Sequence, residues 1–131
     1  IISQSCRKES APVSANVRLL TEESWSYDQF GIDDNLDGQI DIPQNFESCA
    51  LDDEIKFNTN GSGSFHQGAN LCYPDIPQSQ PLEWKFHNDE TQLEYGGAVH
   101  NILALDEEQL AIYTEESDGT STVRHMVVYN H

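Results

Sequence analysis

The sequence predicts an all-β domain: an antiparallel up-and-down meander of about eight short strands, closed or nearly closed, with one short N-terminal helix. Three observations predict it. Apolar and polar residues alternate in short runs, most clearly where Leu82, Trp84 and Phe86 are set between Glu83, Lys85 and His87. That period of two puts one face in a core and the other in water. Turn signals such as Asn60-Gly61, Gly96-Gly97 and Asp118-Gly119 separate the runs. The runs also recur at roughly ten-residue spacing, as a meander joined by tight turns requires.

In chain order, residues 14–23 suit a short helix, with Ser14 as N-cap and Val17, Leu19 and Leu20 as its apolar surface. Trp25 and Tyr27 alternate with Ser24, Ser26 and Asp28, which predicts a strand over 24–32. Ile55 and Phe57 begin a hairpin that turns at Asn60-Gly61 and returns through Gly63, Phe65 and Gly68. Residues 74–81 hold three prolines and are expected to be a loop. The Leu82–Trp84–Phe86 strand follows, then a turn at 88–90, then Leu93 and Tyr95, and a bend or bulge at Gly96-Gly97. Residues 99–105, 110–114 and 123–129 are the last strands, with Val123, His125, Val127 and Tyr129 sharing one face. The inward side chains are expected to be Ile55 and Phe57, Leu82, Trp84 and Phe86, and Val123, His125 and Val127.

The length of 131 residues suits one domain, and 6 Lys+Arg against 23 Asp+Glu give a formal charge of -17. Such a field repels phosphate backbones, so no nucleic-acid partner is expected. No apolar run of about eighteen residues offers a membrane span. The acids are uneven: residues 33–54 hold eight carboxylates and no Lys or Arg. They form either a solvated acidic face or the setting for a cation that relieves their repulsion.

Within that stretch, Asp33, Asn35, Asp37, Gly38, Ile40 and Asp41 fill a D-x-N-x-D-G-x-I-D pattern. Oxygen ligands at alternate positions, with glycine at a sharp bend, are what a hard cation such as calcium needs. The expected structural calcium site is Asp33, Asn35, Asp37, the Gln39 carbonyl and Asp41, and the alternative is an ordinary Asp-Gly turn. It is not an EF-hand. Gln44 stands where the bidentate Glu belongs, Pro43 precedes it, and no long helices flank the loop. Glu47 would complete the carboxylates if the chain folds back.

Three cysteines leave one unpaired after a single bridge. Cys49 and Cys72 flank the predicted hairpin, which would bring them together as a disulfide; the alternative is two buried thiols. Because the chain opens on Ile1 and not Met, its natural N-terminus is expected to lie upstream. Ile1 to Ser5 before Cys6, then Arg7, Lys8, Glu9 and Ser10, resemble the end of a bacterial lipoprotein signal peptide. Cys6 is therefore expected to be lipidated, with residues 1–13 as remnant and tether and 14–131 as the folded domain. A free cysteine in a disordered tail is the alternative.

The segments LLTEESW (19–25), DDNLDGQIDIPQNFESCALDDEIKFNTNG (33–61), the stretch around Cys72, LEWKF (82–86) and the final strands together resemble the lipocalin-like domains of secreted proteins and lipoproteins of Bacteroidetes. The resemblance covers about residues 17–130 and implies an eight-stranded up-and-down barrel, export, and a largely undescribed role. Glu23 stands where transport lipocalins of the G-x-W type carry glycine, which sets the chain apart from that group.

No catalytic constellation emerges. His66, His87, His100, His125 and His131 are dispersed, and no Cys/His metal spacing, nucleophile elbow or phosphate loop is present. Trp25, Trp84, Phe86 and Tyr113 are expected in the core, with a ligand cage as the alternative. The expectation is thus an exported, periplasmic or cell-surface, non-enzymatic domain with a calcium-stabilised loop. It would bind a small apolar or mixed ligand and meet a membrane only through a lipid on Cys6. The alternative is a structural or interaction domain whose barrel is filled by its own side chains.

Overall fold

The computed structural model describes residues 14–131, so residues 1–13, the expected tether, and Cys6 lie outside the described residues. The order is α1 (Ala15–Thr21), β1 (Trp25–Asp33), β2 (Ile42–Gln44), β3 (Glu54–Phe57), β4 (Ser62–His66), β5 (Ser79–His87), β6 (Gln92–Tyr95), β7 (Ala98–Leu105), β8 (Gln109–Ser117) and β9 (Thr122–Asn130), with one 3₁₀ turn at Ser48–Ala50. Every neighbouring pair is antiparallel, and β9 returns to pair with β1, which closes the sheet into a ring. The ring has eight strands, β1 and β3 to β9. The short β2 is the ninth: β2 and β3 lie end to end along one edge of β1, at Phe30 to Ile32 and at Trp25 and Ser26. Between them the chain leaves the sheet over 45–53.

Alternation explains the strands, and turn chemistry explains their ends. Asn88, Asp89 and Glu90 all adopt positive φ in the turn between β5 and β6. Leu82, Trp84 and Phe86 pack into one core with Ile55, Phe57, Leu93, Leu110 and Ile112. β5 begins earlier than the three prolines suggest, and Pro81 lies opposite Ser64. It is tolerated because β6 pairs with β5 only from Trp84 onward, so a missing N–H there leaves no ladder partner orphaned.

Helix α1 closes one end, here the base. Ser14 caps it, its side chain accepting from the Val17 amide, and its hydroxyl also donates to Glu90 in the β5–β6 turn at 2.9 Å. Lys56 donates its ammonium to the Thr21 carbonyl. Trp25 is fully buried and donates its indole N–H to the Leu20 carbonyl at 2.9 Å, tying helix to barrel. Trp84 does the same to Asn58 at 2.8 Å. Three side chains sit elsewhere than alternation suggests. Val123 and His125 share a face with Val127 and Tyr129 but lie near the opposite end, outside the core: Val123 pairs with Glu116 at the end of β8, and His125 is exposed and bonded to Glu116. Tyr113 lies on the outer wall beneath the Arg124 guanidinium, 4.3 Å from the ring centre, because Leu110 and Ile112 take the inward positions of β8.

Candidate functional site

Two features stand at the end of the barrel opposite α1, here the mouth. The first is the acidic loop that leaves β1. Asp33 is fully buried at the end of β1 and accepts from the Gly38 amide at 2.8 Å and the Asp37 amide at 3.2 Å. Gly38, at φ 86°, gives the turn these bonds require. Asn35 also accepts from the Asp37 amide, Asp37 accepts from the Gln39 amide at 2.9 Å, and Asp41 accepts from the Asp34 amide. Gly31 is needed below the loop, since a Cβ there would collide with the Ile42 carbonyl and the Ile40 side chain.

The result is that carboxylate oxygens of Asp33, Asp37 and Asp41 lie within 4.8 Å of one another. Burial alone would raise the Asp33 carboxyl, yet the amides of Gly38, Asp37 and Leu36 hold it below its ordinary value. Asp41 is pushed up, first by desolvation and then by the charges of Asp37 and Asp34. Arg124 approaches Asp33 at 4.0 Å and also pairs with Glu115, so it offsets only part of the repulsion. Each carboxylate keeps acceptor capacity beyond the amides it already meets. The three therefore fit a hard cation, with Asn35 and Gln39 beside them in the same loop. Glu47 does not join this group: it lies beside Cys49 and Cys72 on the 45–53 excursion.

The second feature is a cleft in the mouth itself. Cys49 and Cys72 are bridged, with Cα atoms 5.1 Å apart, and fasten the 45–53 excursion to the loop after β4. Buried Gln67 clamps that loop, donating to the Tyr73 carbonyl at 3.0 Å and accepting from the Tyr73 amide at 2.9 Å. Between the two segments and the barrel wall lies a cleft of about 470 Å³ whose lining includes Tyr27, Phe30, Phe46, Phe65, Tyr73 and Asp53. Phe46, on the excursion between β2 and β3, packs on Tyr27 at 4.8 Å and on Phe30 at 4.4 Å between ring centres. Beneath, Tyr27 stacks on Tyr129, whose hydroxyl is 2.7 Å from that of Tyr95. Burial pushes the Tyr95 phenol up to about 12 and that of Tyr129 well above its ordinary value, so this floor is neutral.

Asp53 is the one carboxylate of this cleft that is buried, at 4% exposure. Its carboxyl accepts only a long bond, 3.3 Å, from the Gly68 amide among the described residues. Desolvation, with the neighbouring Asp52 charge, raises its pKa against the lowering by that amide. Gly68 must be glycine, because a Cβ there would run into the Asp52 side chain. Sequence reasoning missed this site. Phe30 and Phe46 carry no periodic signal together, and Asp53 looked like one more member of a solvated acidic run. No family model, curated protein or solved structure matches the chain.

Proposed function

We propose that this chain is a non-catalytic, exported binding domain of the lipocalin-like kind, a cup that takes a small ligand of mixed apolar and polar character in its mouth. The observation that carries the reading is the 470 Å³ cleft, apolar along most of its wall with five aromatic rings, and polar at Asn45, Glu47 and Asp53. That size and lining suit a small-molecule site, concave, largely apolar, with a few polar groups to orient the guest. The bridge between Cys49 and Cys72 supports an oxidising compartment and therefore export. Lipidation of Cys6 would then hold the domain at a membrane surface. Calcium is proposed on the Asp33, Asp37 and Asp41 carboxylates with Asn35 and the Gln39 carbonyl, as a structural ion that fixes the loop beside the mouth.

The test is saturable binding of a neutral fluorophore, N-phenyl-1-naphthylamine, followed by its emission. Wild type is expected to bind one equivalent. Ala50→Trp, which fills the cleft from the excursion without touching the base, is expected to abolish the signal. A folded wild type that binds neither this fluorophore nor a smaller aromatic amine or alcohol overturns the cup.

A second reading, an interaction domain, draws on one specific observation. Leu51, Leu71, Tyr73 and Ile76 stand exposed on the two bridged loops, Leu51 at 60% and Tyr73 at 64%. Under that reading the rim binds a protein surface, and Ala50→Trp leaves its partner affinity unchanged.

A further inference from the structure

The charge of the guest can be read one step further, on the premise that the cup reading above holds. We propose that the mouth cleft takes a small organic amine, an ammonium on an aromatic or alkyl body, with Asp53 as its counter-ion and the surrounding rings as its cage. Asp53 is 4% exposed and lines the cleft. Among the described residues no cationic side chain lies within 4.0 Å of it, and its one hydrogen bond is the 3.3 Å contact from the Gly68 amide. A buried carboxylate without a cation or a full set of donors is costly, and a guest that brings an ammonium removes that cost. A neutral guest would cover Asp53 and leave it unpaired, and an anionic one would meet both Asp53 and Glu47.

The rings point to the same class. Tyr27, Phe30, Phe46, Phe65 and Tyr73 line the same cleft as Asp53, and aromatic faces attract ammonium groups through their quadrupoles. The whole chain adds a field of the right sign, since its formal charge is -17 and a low-dielectric cleft focuses such a field on entering cations. Tyr27 lies within the field of that carboxylate: burial first, and then the Asp53 charge, push its phenol up.

The experiment compares three probes that share one body: phenethylamine, 2-phenylethanol and phenylacetate, titrated calorimetrically into the full chain. The amine is expected to bind at least tenfold more tightly than the alcohol, and the acid not measurably. Asp53→Asn, which keeps the shape and the Gly68 contact, is expected to bring amine and alcohol to equal affinity. Equal affinity in the wild type overturns the amine while leaving the cup intact. An amine preference that persists in Asp53→Asn overturns the role of Asp53. Failure of all three probes together with N-phenyl-1-naphthylamine overturns the cup itself. Should Asp53→Asn not fold, the wild type decides at 1 M NaCl, where the Debye length is about 3 Å. A preference that survives there is a local contact; one that vanishes belongs to the diffuse charge of the surface, and the proposal falls.

Discussion

At the base of the barrel Leu20, Trp25, Phe57 and Leu93 are each at most 1% exposed, and the helix that seals them is capped, hydrogen-bonded to a turn and tied to an indole. At the mouth Phe30 and Phe46 are only half buried, Tyr73 is largely exposed, and three carboxylates crowd one loop. The two ends share one sheet, so the contrast is not one of strand pairing. It lies in what fills the ring: close-packed side chains at one end, and at the other a space held open by a disulfide and a turn. Dense packing is the chief source of stability in a domain of this size, and sites that bind are drawn from the less densely packed regions.

The sharpest way to break that contrast is to hollow out the base. Trp25→Ala removes the largest fully buried side chain and its bond to the Leu20 carbonyl. The expected loss is about 3–5 kcal/mol, the range for large aromatic residues truncated in a core. Phe46→Ala, at the mouth, is expected to cost about 1–2 kcal/mol because its ring is only partly withdrawn from water. Urea unfolding measures both. Equal losses would mean that the mouth is as much a core as the base.

Reduction of the bridge comes next. Cys49 and Cys72 are separated by 23 residues, and closing a loop of that length stabilises by about 3 kcal/mol in the chain-entropy model. The effect is expected to be local first. Hydrogen exchange should speed up over 45–53 and 67–78 while amides of β8 and β9, which pair along nine positions, stay protected. Uniform loss of protection would show that both ends unfold as one unit.

The base was legible in the sequence, as were the acidic loop and the bridge at the mouth, but the cleft between them was not, for a physical reason. Strands that bury one face announce themselves by alternation, so β3, β5, β8 and β9 can be placed from Ile55 and Phe57, Leu82 to Phe86, Leu110 and Ile112, and Val127 and Tyr129. Ser14 and Trp25 mark the helix and its seal in the same local way. The bridge was legible too, since a hairpin between two cysteines brings them together. Alternation gives the face of a residue but not its height along the barrel, which is why His125, on the right face, emerges near the mouth in water. β2 was hidden because three residues around Pro43 carry no period and exist only through β1. Asp53 was hidden because burial of an acid is a tertiary fact: only the 45–53 excursion and the loop after β4, folded against each other, withdraw it from water.

The smallest expected effect concerns calcium, and it distinguishes a metal loop from a charged turn. A lone irregular loop of this kind is expected to bind with a dissociation constant of about 0.1–1 mM. At 5 mM calcium, mass action then stabilises the fold by about 1–2 kcal/mol, a rise of roughly 4–8 °C in melting temperature, which EDTA reverses. With a formal charge of -17, any divalent ion will screen self-repulsion, so magnesium at equal concentration is the control. Asp37→Asn is the decisive variant, because its amide oxygen can still accept from the Gln39 amide while one negative charge is lost. Without metal, the variant should be as stable as wild type or slightly more so, since one of three carboxylates within 4.8 Å has gone. With calcium, it should be the less stable of the two. That crossing of sign is the signature of coordination: screening moves both proteins together, and a plain turn responds to neither calcium nor the charge of Asp37 in this order. Parallel melting curves for the two proteins at every calcium concentration would leave the loop a turn.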